Sequence, residues 1–505
     1  MGRLIVALSV SLWIIPVSIL VNRIVPHPYM DEIFHIPQAQ QYCKGNFRSW
    51  DPMITTPPGL YLLSLPYVAS LFPGLCMIQK ALAFSDVCST AILRSINCAL
   101  AVICSVIMYG ILKHLRPALG EQKRTVYAII LALYPLHWFF TYLYYTDVAS
   151  LTTVLAMYMM CLKKNYRLSA LLGVVAVAIR QTNVVWVVFT ACTGIINVVL
   201  ANQIKVTKDH STSSDKNIQT TTNKHGEEVS NLRRRKSHKM TNSTKQSDST
   251  KVGILGSDFT DEVKIFLLTS WRLKWEILVS FSPFVLVLLA FLAFVRWNGS
   301  IVLGAKDAHT ASLHFPQILY FGLVSALQAM PLIFTRNRVA ELVESFRKNV
   351  LINAFITILL LTSGVLAVHF FSIAHPYLLA DNRHYTFYLW RRVIDAHWSI
   401  KHLLVPLYAF SWFCILNTLR KTQSRLWILA YFIATAAVLV PAPLIEFRYY
   451  TIPFYIFMLH TYESSYISWI LIGIGYAAID TFTMWMFLFR PFNWDHEDGT
   501  QRFIW

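Results

Sequence analysis

Apolar residues run along this chain in long, nearly unbroken blocks, and polar residues gather between them. The first block, Leu4 to Val25, gives way to a polar and aromatic stretch; further blocks follow near 93–112, 125–145, 148–162, 168–182, 184–200, 275–296, 314–334, 349–371, 400–419 and 425–441, with one or two more before Arg490. A helix needs about 20 apolar residues to cross the hydrocarbon core of a bilayer, and irregular backbone cannot face lipid. The pattern therefore predicts an all-α, polytopic integral membrane protein with about twelve or thirteen transmembrane helices. A transmembrane barrel would show short alternating strands instead. The block from Leu4 to Val25 follows a basic residue, as a signal peptide would, but it is too long and lacks a small-residue cleavage pattern after it. It reads as a retained anchor. A Pro-interrupted piece, Pro58 to Pro73, is expected to lie along the membrane surface.

Composition agrees: 55% of the 505 residues are apolar and 14% are charged, where a soluble chain carries about 25% charged residues. The placement of the charge adds orientation, because cytosolic loops collect Lys and Arg. Arg3 puts the N-terminus in the cytosol, and the basic turns at Lys113–Arg124, Lys163–Arg167, the stretch after Leu200, Arg336–Lys348 and Arg420–Arg425 all fit one topology. It divides the chain into an N-terminal transmembrane region (1–200) with its first outer loop at 26–92, an insert (201–270), a C-terminal transmembrane region (271–490) and a tail (491–505). The side of the C-terminus stays open, since Thr451–Leu459 is short for a crossing. The net charge of +18 is accounted for by basic loops and lipid phosphates, with no need of nucleic acid.

From Asn202 to about Lys264 the chain turns to Ser, Thr, Asn, Lys and Asp, a composition that buries too little surface to fold and predicts cytosolic disorder. Its Arg233–Lys236 cluster reads as a topology determinant near anionic lipid. Five of the eight cysteines, Cys98, Cys104, Cys161, Cys192 and Cys414, fall in apolar spans. Cys43, Cys76 and Cys88 lie on the outer side, where at most one bridge forms, unassigned. Neither CxxC nor HExxH occurs, and no metal or cofactor is expected. Of two sequons, Asn298 falls in an outer loop and is the candidate glycan site, whereas Asn242 falls in the insert.

Chemistry concentrates in the first outer loop. If Asp31 to Gln38 begins a helix, Asp31, His35 and Gln38 share one face. A carboxylate there suits a general base and a histidine suits phosphate; the alternative is an N-capping Asp beside a hydrogen-bonded His. The loop from His375 to His397 is also outer, yet it carries Arg383, Arg391 and Arg392 against the positive-inside trend. A phosphate-bearing lipid would favour guanidinium there; headgroup neutralisation or pairing with Asp381 and Asp395 is the alternative. Arg448, after Glu446, is either a second phosphate contact or a local ion pair.

The segments YMDEIFHIPQAQQY, WDPMITTPPGLYLLS, IRQTNVVW (Ile179–Trp186), HPYLLADNRHYTFYLWRR (His375–Arg392) and PLIEFRYY together resemble the dolichyl-phosphate-glucose-dependent alpha-1,2-glucosyltransferase family, which adds the terminal, third glucose to the lipid-linked precursor of N-glycosylation. The insert has no specific match. The resemblance implies a GT-C architecture in the endoplasmic reticulum membrane, a lumenal active site, and a metal-independent inverting transfer from dolichyl phosphate glucose to a dolichyl-diphosphate oligosaccharide. It places the base at Asp31 or, second, Glu32. His35, Arg383, His384, Arg391, Arg392 and Arg448 become candidates for the donor phosphate, and Trp50, Tyr385 and Trp390 for sugar stacking. The competing reading is a non-enzymatic transporter, scramblase or ion-channel regulator. Its carriers would be the intramembrane polar residues Arg180, Gln181, Asn183 and Asp480, and a channel partner beside catalysis stays open.

Overall fold

The computed structural model describes residues 1–79, 84–218, 259–306, 310–462, 465–495 and 497–505. Among these described residues, seven helices are long and apolar enough to cross a membrane. They include α1 (Gly2–Ile24), and, beyond the outer-loop helices α2 (Glu32–Cys43) and α3 (Gly59–Gln79), α4 (Thr90–Leu115). Six shorter passes lie among the long ones: Glu121–Phe140, α5 (Thr146–Leu162), α6 (Tyr166–Ile179), Pro316–Ile333, Arg425–Leu439 and Thr451–His460. Together they make thirteen passes among the described residues. Two blocks that read as single spans are broken by proline: the pass over 121–140 stops at Ala132 and restarts at Pro135, and a second short helix, Met330–Ile333, follows Gln328. Proline has no N–H to donate and is therefore favoured in a first turn.

Contacts between loops fix the two sides. On one, the Gly2 N–H donates to the Glu121 carboxylate at 2.6 Å, and Arg116 donates to the carbonyls of Leu459 (3.0 Å) and Thr461. On the other, Leu303 N–H donates to Thr55 (3.1 Å), His314 N–H to Val440 (2.9 Å) and Ile504 N–H to Arg383 (2.9 Å). The basic turns share the first side, as the charge pattern requires. The tail belongs to the second, because Arg502 N–H donates to the Tyr29 hydroxyl at 2.7 Å. Thr451–His460 therefore does cross, and Tyr466–Phe489 returns the C-terminus to the outer face.

Two outer features frame the first loop. Cys43 and Cys88 form a disulfide, Cα–Cα 6.6 Å, that ties the end of α2 to the chain just before α4. In α3, Gly59 lies against the backbone of Ala178 at the outer end of α6, while the Tyr67 hydroxyl meets Ser95 at the outer end of α4. The first half of α3 is thus level with two helix ends, the placement of a helix lying along the membrane face.

The insert departs from expectation at both edges. Helix α7 (Val184–Ile218) continues well past Leu200, and α8 (Phe259–Arg272) begins before Lys264. Extending a formed helix costs far less than starting one. The beginning of α8 is held because Glu262 accepts the backbone N–H groups of Arg425 (3.3 Å) and Leu426 (3.1 Å), which lie in the first turn of the helix Arg425–Leu439. The stretch 219–258, with Arg233–Lys236 and Asn242, lies outside the described residues.

Candidate active site

Met30 adopts a left-handed backbone, φ 56°, uncommon for a residue with a side chain, and this turn presents Asp31 at the head of α2. Asp31 occupies the cap position in a helical conformation and makes no side-chain cap bond. Its carboxylate is 45% exposed and accepts from Arg448 Nη1 at 3.2 Å. The plain capping role is not the one the geometry assigns.

Glu32 points the other way. It is fully buried against fully buried Arg94: Oε1 accepts from Arg94 Nε (2.9 Å) and Tyr144 N–H (2.6 Å), and Oε2 from Arg94 Nη2 (2.6 Å) and Tyr29 N–H (3.1 Å). Four donors saturate the carboxylate. Arg94 also donates to Asn22 and to the carbonyls of Val25 and His27, so the pair clamps the end of α1, the first loop and α4 together. The structure gives these adjacent acids different surroundings, Asp31 half-exposed and Glu32 fully buried.

Asp147, in the first turn of α5, completes the site. Its Oδ1 accepts from Arg180 Nη1 at 2.8 Å, and its Oδ2 lies 3.8 Å from Arg448 Nη1. Arg448 in turn binds Glu446 at 2.6 Å. Arg448 is therefore both the local ion pair and the bridge to Asp31. A cleft opens here between Asp147, Arg180, Asn183, Trp186, Arg448 and Tyr449. Nothing in the sequence marks Asp147, which follows an aromatic run with no periodic cue, whereas Arg94, a charge inside an apolar block, marks the partner of Glu32.

His35 Nδ1 is 2.5 Å from the Tyr61 hydroxyl. Burial, against the pull of nearby Asp31, holds its pKa below the usual value, so at neutral pH it offers a hydrogen bond and no full charge. Gln38 does not share the site: it clasps the loop through Ser49 O (2.7 Å) and Asp51 N–H (3.0 Å). Trp50 packs edge-on to Tyr61.

The second arginine-bearing loop divides by role. Arg383 forks onto Asp381 (2.8 Å), bonds Gln501 and stacks on Trp494. Burial alone would raise the Asp381 carboxyl, but the Arg383 bonds and nearby His384 hold it below its ordinary value. His384 Nδ1 meets the Trp505 carbonyl at 3.1 Å, and the Tyr385 ring packs on Trp505. These residues anchor the tail, whose hairpin pairs Phe492–Trp494 with Glu497–Gln501. Trp390 is buried, which leaves it no open face for a sugar. Arg391 and Arg392 are exposed and rest on Phe387 and Tyr388; among the described residues neither pairs with a carboxylate. Asn298 spends its amide on the carbonyls of Ser300 (2.9 Å) and Val302 (2.7 Å) in a turn that Gly299 makes at φ 73°.

A family model described as the DIE2/ALG10 family matches residues 25–459. The chain is 56% identical over 511 residues, 100% of both chains, to the Dol-P-Glc:Glc(2)Man(9)GlcNAc(2)-PP-Dol alpha-1,2-glucosyltransferase of Arabidopsis thaliana. It is 35% identical to the protein of that name from Mus musculus and 34% to one from Homo sapiens, each over 96% of this chain and 94% of the relative. No solved structure matches.

Proposed function

The chain belongs to the DIE2/ALG10 family, and on that premise we propose that it moves glucose from dolichyl phosphate glucose to the diglucosylated lipid-linked oligosaccharide, forming the terminal alpha-1,2 linkage. It is a multi-pass membrane protein, working in the endoplasmic reticulum with this site facing the lumen. The observation that carries the chemistry is a half-exposed carboxylate, Asp31, left free of capping and oriented by Arg448.

The 2-hydroxyl of the acceptor's terminal glucose attacks the anomeric carbon of the donor from the face opposite the phosphate. The new C–O bond forms as the bond to phosphate breaks, Asp31 takes the hydroxyl proton, and dolichyl phosphate leaves with the bonding pair. General-base assistance contributes about 10² to 10⁴-fold. Arg391 and Arg392 meet the leaving phosphate, since among the described residues they are the loop's arginines without a carboxylate partner. The clamped Glu32 is structural.

In sealed microsomes carrying the chain, labelled glucose should pass from dolichyl phosphate glucose to the diglucosylated acceptor. Solute movement without transfer would instead support the non-enzymatic reading. Arg392→Ala should raise the KM for the donor, with Arg392→Lys recovering part, because a point charge cannot reproduce a two-pronged guanidinium. Donor saturation at the wild-type level in both variants would remove Arg392 from the phosphate site.

A further inference from the structure

Asp147 has a carboxylate oxygen that lies 3.8 Å from Arg448 Nη1 but accepts no hydrogen bond. The side chain is 9% exposed and Oδ1 is committed to Arg180, yet Oδ2 is buried without a hydrogen-bond partner. A buried polar atom left unpaired is costly and rare. Gln181 Oε1, beside Arg180 in the chain, is buried and unpaired too. Asp147 lines the cleft that Arg180, Arg448 and Tyr449 also border, so its unsatisfied acceptor belongs to the wall of that cleft.

Resting on the transfer reaction above, we infer that Asp147 is an acceptor-binding residue: its Oδ2 takes a hydrogen bond from the 3-hydroxyl of the terminal glucose whose 2-hydroxyl is attacked. Arg448 Nη1 lies 3.2 Å from Asp31 and 3.8 Å from Asp147. The two carboxylates therefore flank one guanidinium nitrogen, close enough for adjacent hydroxyls of one hexose to reach both through bonds of about 2.7 Å. The anomeric oxygen of that glucose is already in a linkage, so the 3-hydroxyl is the one free hydroxyl next to position 2. A carboxylate accepts and cannot donate, which matches a hydroxyl proton pointing inward. Arg180 holds Asp147 from the side away from the free oxygen, and Arg448 holds both acids in register. Asp31 would then receive the proton while Asp147 fixes the ring that delivers it.

The test is steady-state transfer in microsomes by wild-type protein and Asp147→Asn, with donor and acceptor varied separately. A terminal 3-deoxyglucosyl acceptor is assayed alongside. Asn keeps an oxygen for Arg180 and turns an amide, a donor, toward the cleft. The expected result is an acceptor KM raised about 10- to 100-fold, the loss of a hydrogen bond to a charged group, with the donor KM unchanged and protein abundance normal. The 3-deoxy acceptor should be used as poorly by the wild type, with no further loss in the variant. A normal acceptor KM, or full and independent losses from the variant and the deoxy sugar, would overturn the assignment. So would a fall in kcat alone, which would make Asp147 the base. Absence of transfer by the wild type would instead overturn the reaction itself, a separate outcome.

Discussion

Replacing Asp31 with Asn is expected to lower glucosyl transfer by about 10² to 10⁴-fold while the protein inserts and accumulates normally. Asn keeps the shape of Asp and removes the proton-accepting charge. A helix cap would behave differently: Asn caps about as well as Asp, whereas Ala costs about 0.5–2 kcal/mol. Asp31 makes no cap bond, so Asp31→Ala should match Asp31→Asn in stability and in lost activity. Arg448 does not lose its anchorage in either variant, since Glu446 and Asp147 remain beside it. The measurement is transfer per inserted protein, with thermal stability of the detergent-solubilised chain read in parallel. Near-normal transfer by Asp31→Asn would end its candidacy as the base, and a loss explained by reduced stability alone would restore the capping role.

What the sequence disclosed about the fold follows from which forces act locally. Membrane passes are written in composition because lipid demands apolar surface over their whole length, and their sides are written in Lys and Arg. The final crossings were harder to read: Thr451–His460 has only 10 residues, and what settles its direction is Arg116 reaching Thr461 at one end and Arg448 reaching Asp31 at the other, contacts between residues hundreds of positions apart. The polar continuation of α7 to Ile218 was hidden for the opposite reason, since its composition resembles disorder while the helix it extends was already nucleated. At the site, YMDEIFH located the acids and put Asp31 before Glu32, but it gave no physical ground for parting them. On a helix adjacent residues point about 100° apart, and that rotation sends Asp31 toward Arg448 and Glu32 into the protein. Asp147 lay in no motif. Only the return of Arg180 and Arg448 to the same place gives it a role.

The Arg94–Glu32 clamp should prove as important to the fold as Asp31 is to the chemistry. Both side chains are fully buried and bonded to each other through two nitrogen–oxygen contacts, 2.9 and 2.6 Å. Removing one member of such a pair strands the other's charge, at a cost of about 3–5 kcal/mol. Arg94→Ala also withdraws donors from Asn22, Val25 and His27, so the end of α1 and the turn that presents Asp31 lose their tie to α4. The expected result is a lower unfolding temperature in detergent, reduced abundance, and loss of transfer. Arg94→Met combined with Glu32→Leu removes both charges together and should recover a substantial part of the stability, because apolar replacements of a buried pair are often neutral. Wild-type stability in Arg94→Ala would show that the clamp contributes little. Recovery of transfer in the double variant would be incompatible with Glu32 as the base, whereas recovered stability without transfer, together with an active Asp31→Asn, would reverse the roles assigned to these neighbouring acids.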